Sequence, residues 1–323
     1  MDRRTFVMAI LSAAAAQTVE ARVRRKPIDI IEAPTNLGLR PDEKGRIPST
    51  DKAAGVLIQA GLLRRLRVRS RTRLHQLAYV RGPEPGTKLR NGRKIRAFNL
   101  EMANVVERSL KRGGFPLVVG GECSDLLGGM LGLRRSGGRG LVHIDGHSDF
   151  LQPAFYPPDR PLHSAAGMDL ALATGHGEDL LTKWPGIDGP LVADTDAFQI
   201  GDRYANPSLL KGTGIKQITV QDAQKMSVGD ATNRIFGWLE QRRMVAAWLH
   251  IDVDVLDQSI MPAVDSPGTP GFTFAELSQL VSGLLHTGRI AGADIAIYDP
   301  ALDPGHRAGR GLATSLGTAF AAV

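Results

Sequence analysis

The chain has 323 residues, 42% of them apolar and 23% charged, with a formal net charge of +7. That length suits one large α/β domain, or at most two small ones, and the composition is ordinary for a soluble protein with a sizeable core. The single cysteine, Cys123, excludes an intramolecular disulfide, and the arginine cluster Arg64, Arg65, Arg67, Arg69, Arg71 and Arg73 has no aromatic interleaving and no reading motif, so it reads as solvated basic surface rather than a nucleic-acid site.

Residues 1–21 open with the paired Arg3 and Arg4, followed by an apolar, alanine-rich stretch from Val7 to Ala16, with small residues at Ala16 and Ala21 where cleavage could occur. This resembles a twin-arginine export signal and implies use of that export machinery and a periplasmic or secreted destination. The stretch is too short for stable membrane insertion. Residues 22–27 form a basic linker, and residues 28–323 one domain.

Apolar runs within that domain predict eight strands: Ile28–Ala33, Leu74–Val80, Pro116–Val119, Gly140–Ile144, Phe198–Gly201, Gln217–Val220, Ala247–Ile251 and Ala293–Tyr298. Helical patterns fall between them, at Lys52–Leu66, Asn99–Arg112, Ser124–Arg134, Ala231–Arg243 and Phe274–Leu285. Several strands are apolar throughout, as expected where both faces of a sheet are covered. Strand–helix alternation therefore predicts a three-layer αβα fold around a mostly parallel sheet. Ligands in such folds bind beyond the carboxyl ends of strands.

Three clusters sit at those ends. Gly120-Gly121-Glu122-Cys123-Ser124-Asp125 follows the third strand, His143-Ile144-Asp145-Gly146-His147-Ser148-Asp149 ends the fourth, and His250-Ile251-Asp252-Val253-Asp254-Val255-Leu256-Asp257 ends the seventh. Residues i and i+2 of an extended segment point to the same side. Asp145 and His147 can thus converge, as can Asp252 and Asp254, with Asp149 continuing the first row. Burying four carboxylates together requires counter-charge, which divalent cations supply. A donor set rich in carboxylate favours manganese, while zinc or iron also suits it. Two such ions ~3.5–4 Å apart would hold and activate a water.

These clusters resemble those of the arginase–agmatinase (ureohydrolase) superfamily. The family carries Gly-Gly-Asp/Glu-His-Ser, Asp-Ala-His-x-Asp and Ser-x-Asp-x-Asp-x-x-Asp-Pro, in that order. The early segment from Lys44-Gly45 to Leu63, the Ile200-Gly201-Asp202-Arg203 segment and the turn from Pro262 to Phe272 extend the likeness over nearly all of the chain after residue 27. The resemblance implies the arginase-like fold, and a hydrolase of C–N bonds in linear guanidines or amidines that uses a metal-bridging hydroxide. It implies that Asp145 and Asp252 bridge two divalent ions, that Asp149 and Cys123 complete the first, and that His147 and Asp254 complete the second. It assigns proton shuttling to His163, a small-molecule substrate, and trimeric or hexameric assembly.

The chain departs from the family pattern at several positions. Cys123 stands where the family has a histidine ligand, which biases the site from manganese towards zinc, iron or nickel if the sulfur binds. Ile297 falls where a glutamate pairs with the substrate guanidinium, and Asp299 on the same strand face is the candidate substitute. Asn206 matches an acidic substrate-binding residue, and Leu151 matches an asparagine. A single-zinc amide deacetylase on the same fold and a catalytically degenerate metal-binding periplasmic protein are the alternative readings.

Overall fold

The computed structural model describes residues 26–152, 162–204 and 207–323. The export-signal reading at 1–21, most of the linker at 22–27, and Asn206 lie outside the described residues. Among the described residues no helix is long and apolar enough to cross a membrane.

Eight strands form one sheet: β1 (Ile28–Glu32), β2 (Val68–Arg73), β3 (Phe115–Val119), β4 (Gly140–Ile144), β5 (Ala197–Ile200), β6 (Lys216–Ile218), β7 (Ala247–Asp252) and β8 (Ile290–Ala296). Their order is β2-β1-β3-β8-β7-β4-β5-β6, and every pairing is parallel. The sheet is therefore wholly parallel, as near-continuous apolar strands require. Alternation along β1 sends Ile28 and Ile30 into one core layer and Ile31 into the other. Helices α2 (Gly92–Lys111), α3 (Asp125–Arg135) and α4 (Asp169–Ala173) cover the second face through Phe98, Met130 and Leu170. Helices α1 (Ala53–Gln59), α5 (Val228–Gln241), α6 (Phe274–His286) and α7 (Arg307–Phe320) cover the first through Leu57, Ile235, Leu280 and Leu316. This is the three-layer αβα architecture expected from the alternation.

Two differences from the sequence reading bear on the sheet and its cover. The second strand is not Leu74–Val80, which is irregular, but the arginine-rich segment before it. Arg69 pairs with Asp29, and Arg71 and Arg73 pair with Glu32, so the arginines neutralise acids on β1. Alternating arginines between Val68, Ser70 and Thr72 suit an edge strand, where charge guards against further pairing. Helix α7 is not among the helical patterns given above, and Gly309, Gly311 and Gly317 lower its helix propensity. Close packing demands them: a Cβ at Gly317 would lie 2.7 Å from the Leu62 carbonyl oxygen, and one at Gly309 2.4 Å from the Tyr298 hydroxyl.

Candidate metal centre

Strands β4 and β7 are neighbours, with Ile144 beside Ile251 in register. Asp145 and Asp252 follow on each strand and so emerge side by side at the carboxyl edge. The turns beyond them are pinned by the acids themselves. Asp145 Oδ1 accepts from the His147 amide at 2.6 Å, and Asp252 Oδ1 accepts from the Asp254 amide at 2.7 Å. Each carboxylate thus keeps its second oxygen for the site. Gly146 has no Cβ because the Arg203 guanidinium packs there, 2.3 Å from where a Cβ would sit. Arg203 in turn donates to the Asp254 and Pro270 carbonyls, fixing the β7 turn.

Asp145, His147 and Asp149 each place a donor atom within 4.8 Å of the other two, and Asp145, His250 and Asp252 do the same. His147 Nδ1 lies 2.9 Å from Asp254 Oδ2. The Cys123 thiol, 3% exposed, donates to Asp252 Oδ2 at 3.0 Å. The loop carrying Cys123 enters through Gly121 at φ 94°, where a side chain would strike Asp125. The structure therefore brings Cys123, Asp145, His147, Asp149, Asp252 and Asp254 together.

Electrostatics mark the cluster as short of positive charge. Burial pushes the carboxyls of Asp145, Asp149 and Asp252 well above the usual range, and their mutual repulsion adds to it. Burial also opposes ionisation of Asp254, but His147 and Arg203 hold it below its usual value. The same pairing carries His147 against its burial up to about 10. Asp145 Oδ2 is buried with no hydrogen-bond partner. Crowded carboxylates, an orphaned acid oxygen and adjacent imidazole nitrogen form a donor set that fits divalent cations.

The cluster opens into a cavity of ≈ 880 Å³ lined by Cys123, His147, Asp149, Asp252, Asp254 and His163, among others. His163 is 8% exposed, and its backbone is bridged to Leu89. Ile297 and Leu151 also line the cavity. Ile297 has φ 74°, an uncommon conformation for a β-branched residue. Asp149 is also left-handed, at φ 42°. Asp299 is placed otherwise. It is 1% exposed, its Oδ2 is 2.7 Å from Arg46 Nη1, and its Oδ1 caps the turn at Ala301, so that carboxylate is already engaged away from the cluster. The sequence reading gave no role to Asp169 or Asp294, nor to His143 and His250, which occupy the positions two before Asp145 and Asp252. That i−2 spacing was the signal that they share the ligand face.

Comparison with known proteins gives a family and a fold. The model of the arginase family matches residues 55–321. Arginase-1 of Rattus norvegicus is 28% identical over 297 residues, covering 86% of each chain. The arginase structure from Bacillus caldovelox superposes with a TM-score of 0.80 at 24% identity, over 91% of this chain and 98% of that one. A hypothetical agmatinase from Burkholderia thailandensis gives 0.68 at 16% identity, over 92% and 85%. At these identities the two structures speak to the fold alone.

Proposed function

Because this chain belongs to the arginase family, we propose that it is a binuclear metal-dependent hydrolase of a C–N bond in a linear guanidine or amidine. The observation that carries this reading is the convergence of Asp145, His147, Asp149, Asp252 and Asp254 around one cavity floor, with a buried Asp145 oxygen lacking any donor. Two divalent cations, when bound, supply the charge that acidifies a water and stabilises the charge developing on the substrate. Asp145 and Asp252 would hold the ions together with Cys123 and Asp149 on one side and His147 and Asp254 on the other. The oxygen-rich set favours Mn2+, while Cys123 opens the site to Zn2+, Fe2+ or Ni2+.

The chain's own residues do the rest. Water adds to the trigonal carbon, and the bond from that carbon to the amine nitrogen breaks. A guanidine thus yields an amine and urea. His163, on the cavity wall, delivers the proton that the departing nitrogen needs. Ile297 and Leu151 give the wall an apolar surface, and Arg40, Arg81 and Arg90 also line the cavity. These features favour a substrate with an apolar spacer and an anionic group, rather than one recognised through a second cation. Export by the twin-arginine route and assembly into a trimer or hexamer complete the proposal.

Urea and ammonia release across a panel of guanidino and amidino compounds, with Mn2+, Zn2+, Fe2+ and Ni2+ in turn, tests it. Turnover of a carboxylate-bearing guanidine is the expected result. Acetate release from acetylated amines with one zinc per chain, and no urea or ammonia, would overturn it.

A further inference from the structure

One pleat below the ligand row, a second polar row crosses the sheet. His143 on β4, His250 on β7 and Asp294 on β8 are partners in register, and all three are fully buried. The two imidazoles stack with centroids 4.7 Å apart. Asp169, the first residue of α4, closes the row from the helix layer. Its Oδ1 accepts from the Leu170 amide at 2.5 Å and lies 3.2 Å from His143 Nε2.

The orientation of the His250 ring is fixed from one side. Its Nδ1 lies 2.6 Å from Asp294 Oδ2, and the Trp248 indole donates to Asp294 Oδ1 at 2.5 Å. A carboxylate only accepts, so Nδ1 carries a hydrogen and a neutral ring presents its Nε2 lone pair. That Nε2 is buried without a hydrogen-bond partner among the described residues. It lies 3.4 Å from Asp169 Oδ2, also without a partner, and a ring nitrogen of His250 lies within 4.8 Å of donor oxygens of both Asp145 and Asp252. Metal-ligating histidines adopt this arrangement, in which a carboxylate holds one ring N–H and the other nitrogen faces the ion.

We propose that His250 is a ligand of the metal centre, its Nε2 sharing one cation with Asp145 and Asp252. The proposal rests on the two-metal reading above. His250 then supplies the imidazole that the chain lacks at position 123, and it does so from beneath the site rather than from the Cys123 loop. Asp294 and Trp248 act as positioning residues that aim the ring. His143 is not assigned this role: its Nε2, 3.7 Å from Asp145 Oδ2, is hydrogen-bonded to Asp169 Oδ1 at 3.2 Å, whereas His250 Nε2 has no hydrogen-bond partner.

The test counts and weighs metal in the full chain. Elemental analysis after gel filtration at saturating and at limiting Mn2+ is run on the wild type and on His250→Asn, with His143→Asn as the control. The wild type is expected to hold two ions, His250→Asn to lose one at limiting metal with affinity at that position falling about tenfold or more, and His143→Asn to keep both. Two ions bound to His250→Asn with unchanged affinity overturns the inference and leaves the two-metal reading standing. A wild type that binds one ion or none defeats the reading itself. Should His250→Asn fail to fold, X-ray absorption at the metal edge of the wild type keeps the question open to refutation. Imidazole scattering from two rings supports His250, and scattering from one ring overturns it.

Discussion

The floor of the cavity and its wall differ in what builds them. The floor comes from the carboxyl ends of β4 and β7, whose register places Asp145 beside Asp252 and whose backbone amides aim each carboxylate. The wall comes from loops, from the left-handed Ile297, and from arginines at the rim. The floor matches the family motif at five of six metal positions, whereas the wall departs from it at Ile297 and Leu151. Metal chemistry tolerates little displacement, so it sits on rigid strand ends. Substrate recognition can be rebuilt on loops without disturbing it.

The largest effect should come from the floor. Asp252→Asn removes a carboxylate proposed to be shared between two ions, and kcat/KM should fall by about a thousandfold or more in the urea-release assay, with loss of bound metal. An Asp252→Asn protein that keeps both ions and its activity would detach the chemistry from the floor. Next comes the rim. His163→Asn should lower kcat by about 10²–10⁴ with metal content unchanged, and the loss should grow as the leaving amine becomes more basic. An equal loss across leaving groups would assign His163 to binding instead.

The apolar part of the wall should respond more gently. Ile297→Glu places an acceptor where the family pairs the guanidinium and should raise kcat/KM for cationic guanidines by about tenfold, the scale of one charge-assisted hydrogen bond. The backbone at 297 already stands in the left-handed region, so the exchange adds little strain of its own. No change in the ranking of cationic against anionic guanidines would mean that Ile297 does not face the substrate.

The smallest effect on catalysis belongs to a site remote from both regions. Burial opposes ionisation of Asp29, but hydrogen bonds from Arg69, Ser109 and Ser70 outweigh it and draw the carboxyl from 3.8 down to about 2. A depressed carboxyl contributes stability that is whole above its ordinary value and lost as pH falls through about 2. Asp29→Asn should therefore cost about 2 kcal/mol near neutrality and leave kcat unchanged. Denaturation curves of the two proteins should converge as the pH approaches 2, and curves that stay apart would assign the loss to packing.

Much of the floor is legible in the sequence. Asp-x-His-x-Asp and Asp-x-Asp at strand ends carry their own geometry, because period-two alternation fixes which side chains converge. The strand at 68–73 was not legible, since its arginines mask a β pattern whose meaning lies in Asp29 and Glu32 on the neighbouring strand. Helix α7 was hidden by glycines that only Leu62 and Tyr298 explain. The engagement of Asp299 by Arg46 joins residues far apart in the chain, and no spacing rule predicts it. His143 and His250 were visible at i−2, yet their meaning depends on Asp169 and Asp294, which only the packed sheet and α4 bring near.

The central claim is tested most directly by titrating metal-free protein with Mn2+ while following urea and ammonia release from the guanidino and amidino panel and counting bound ions. Two ions per chain, with turnover appearing as the second position fills, is the result expected of a binuclear C–N hydrolase. Full turnover at one ion per chain, or two bound ions with no release from any compound, would contradict it.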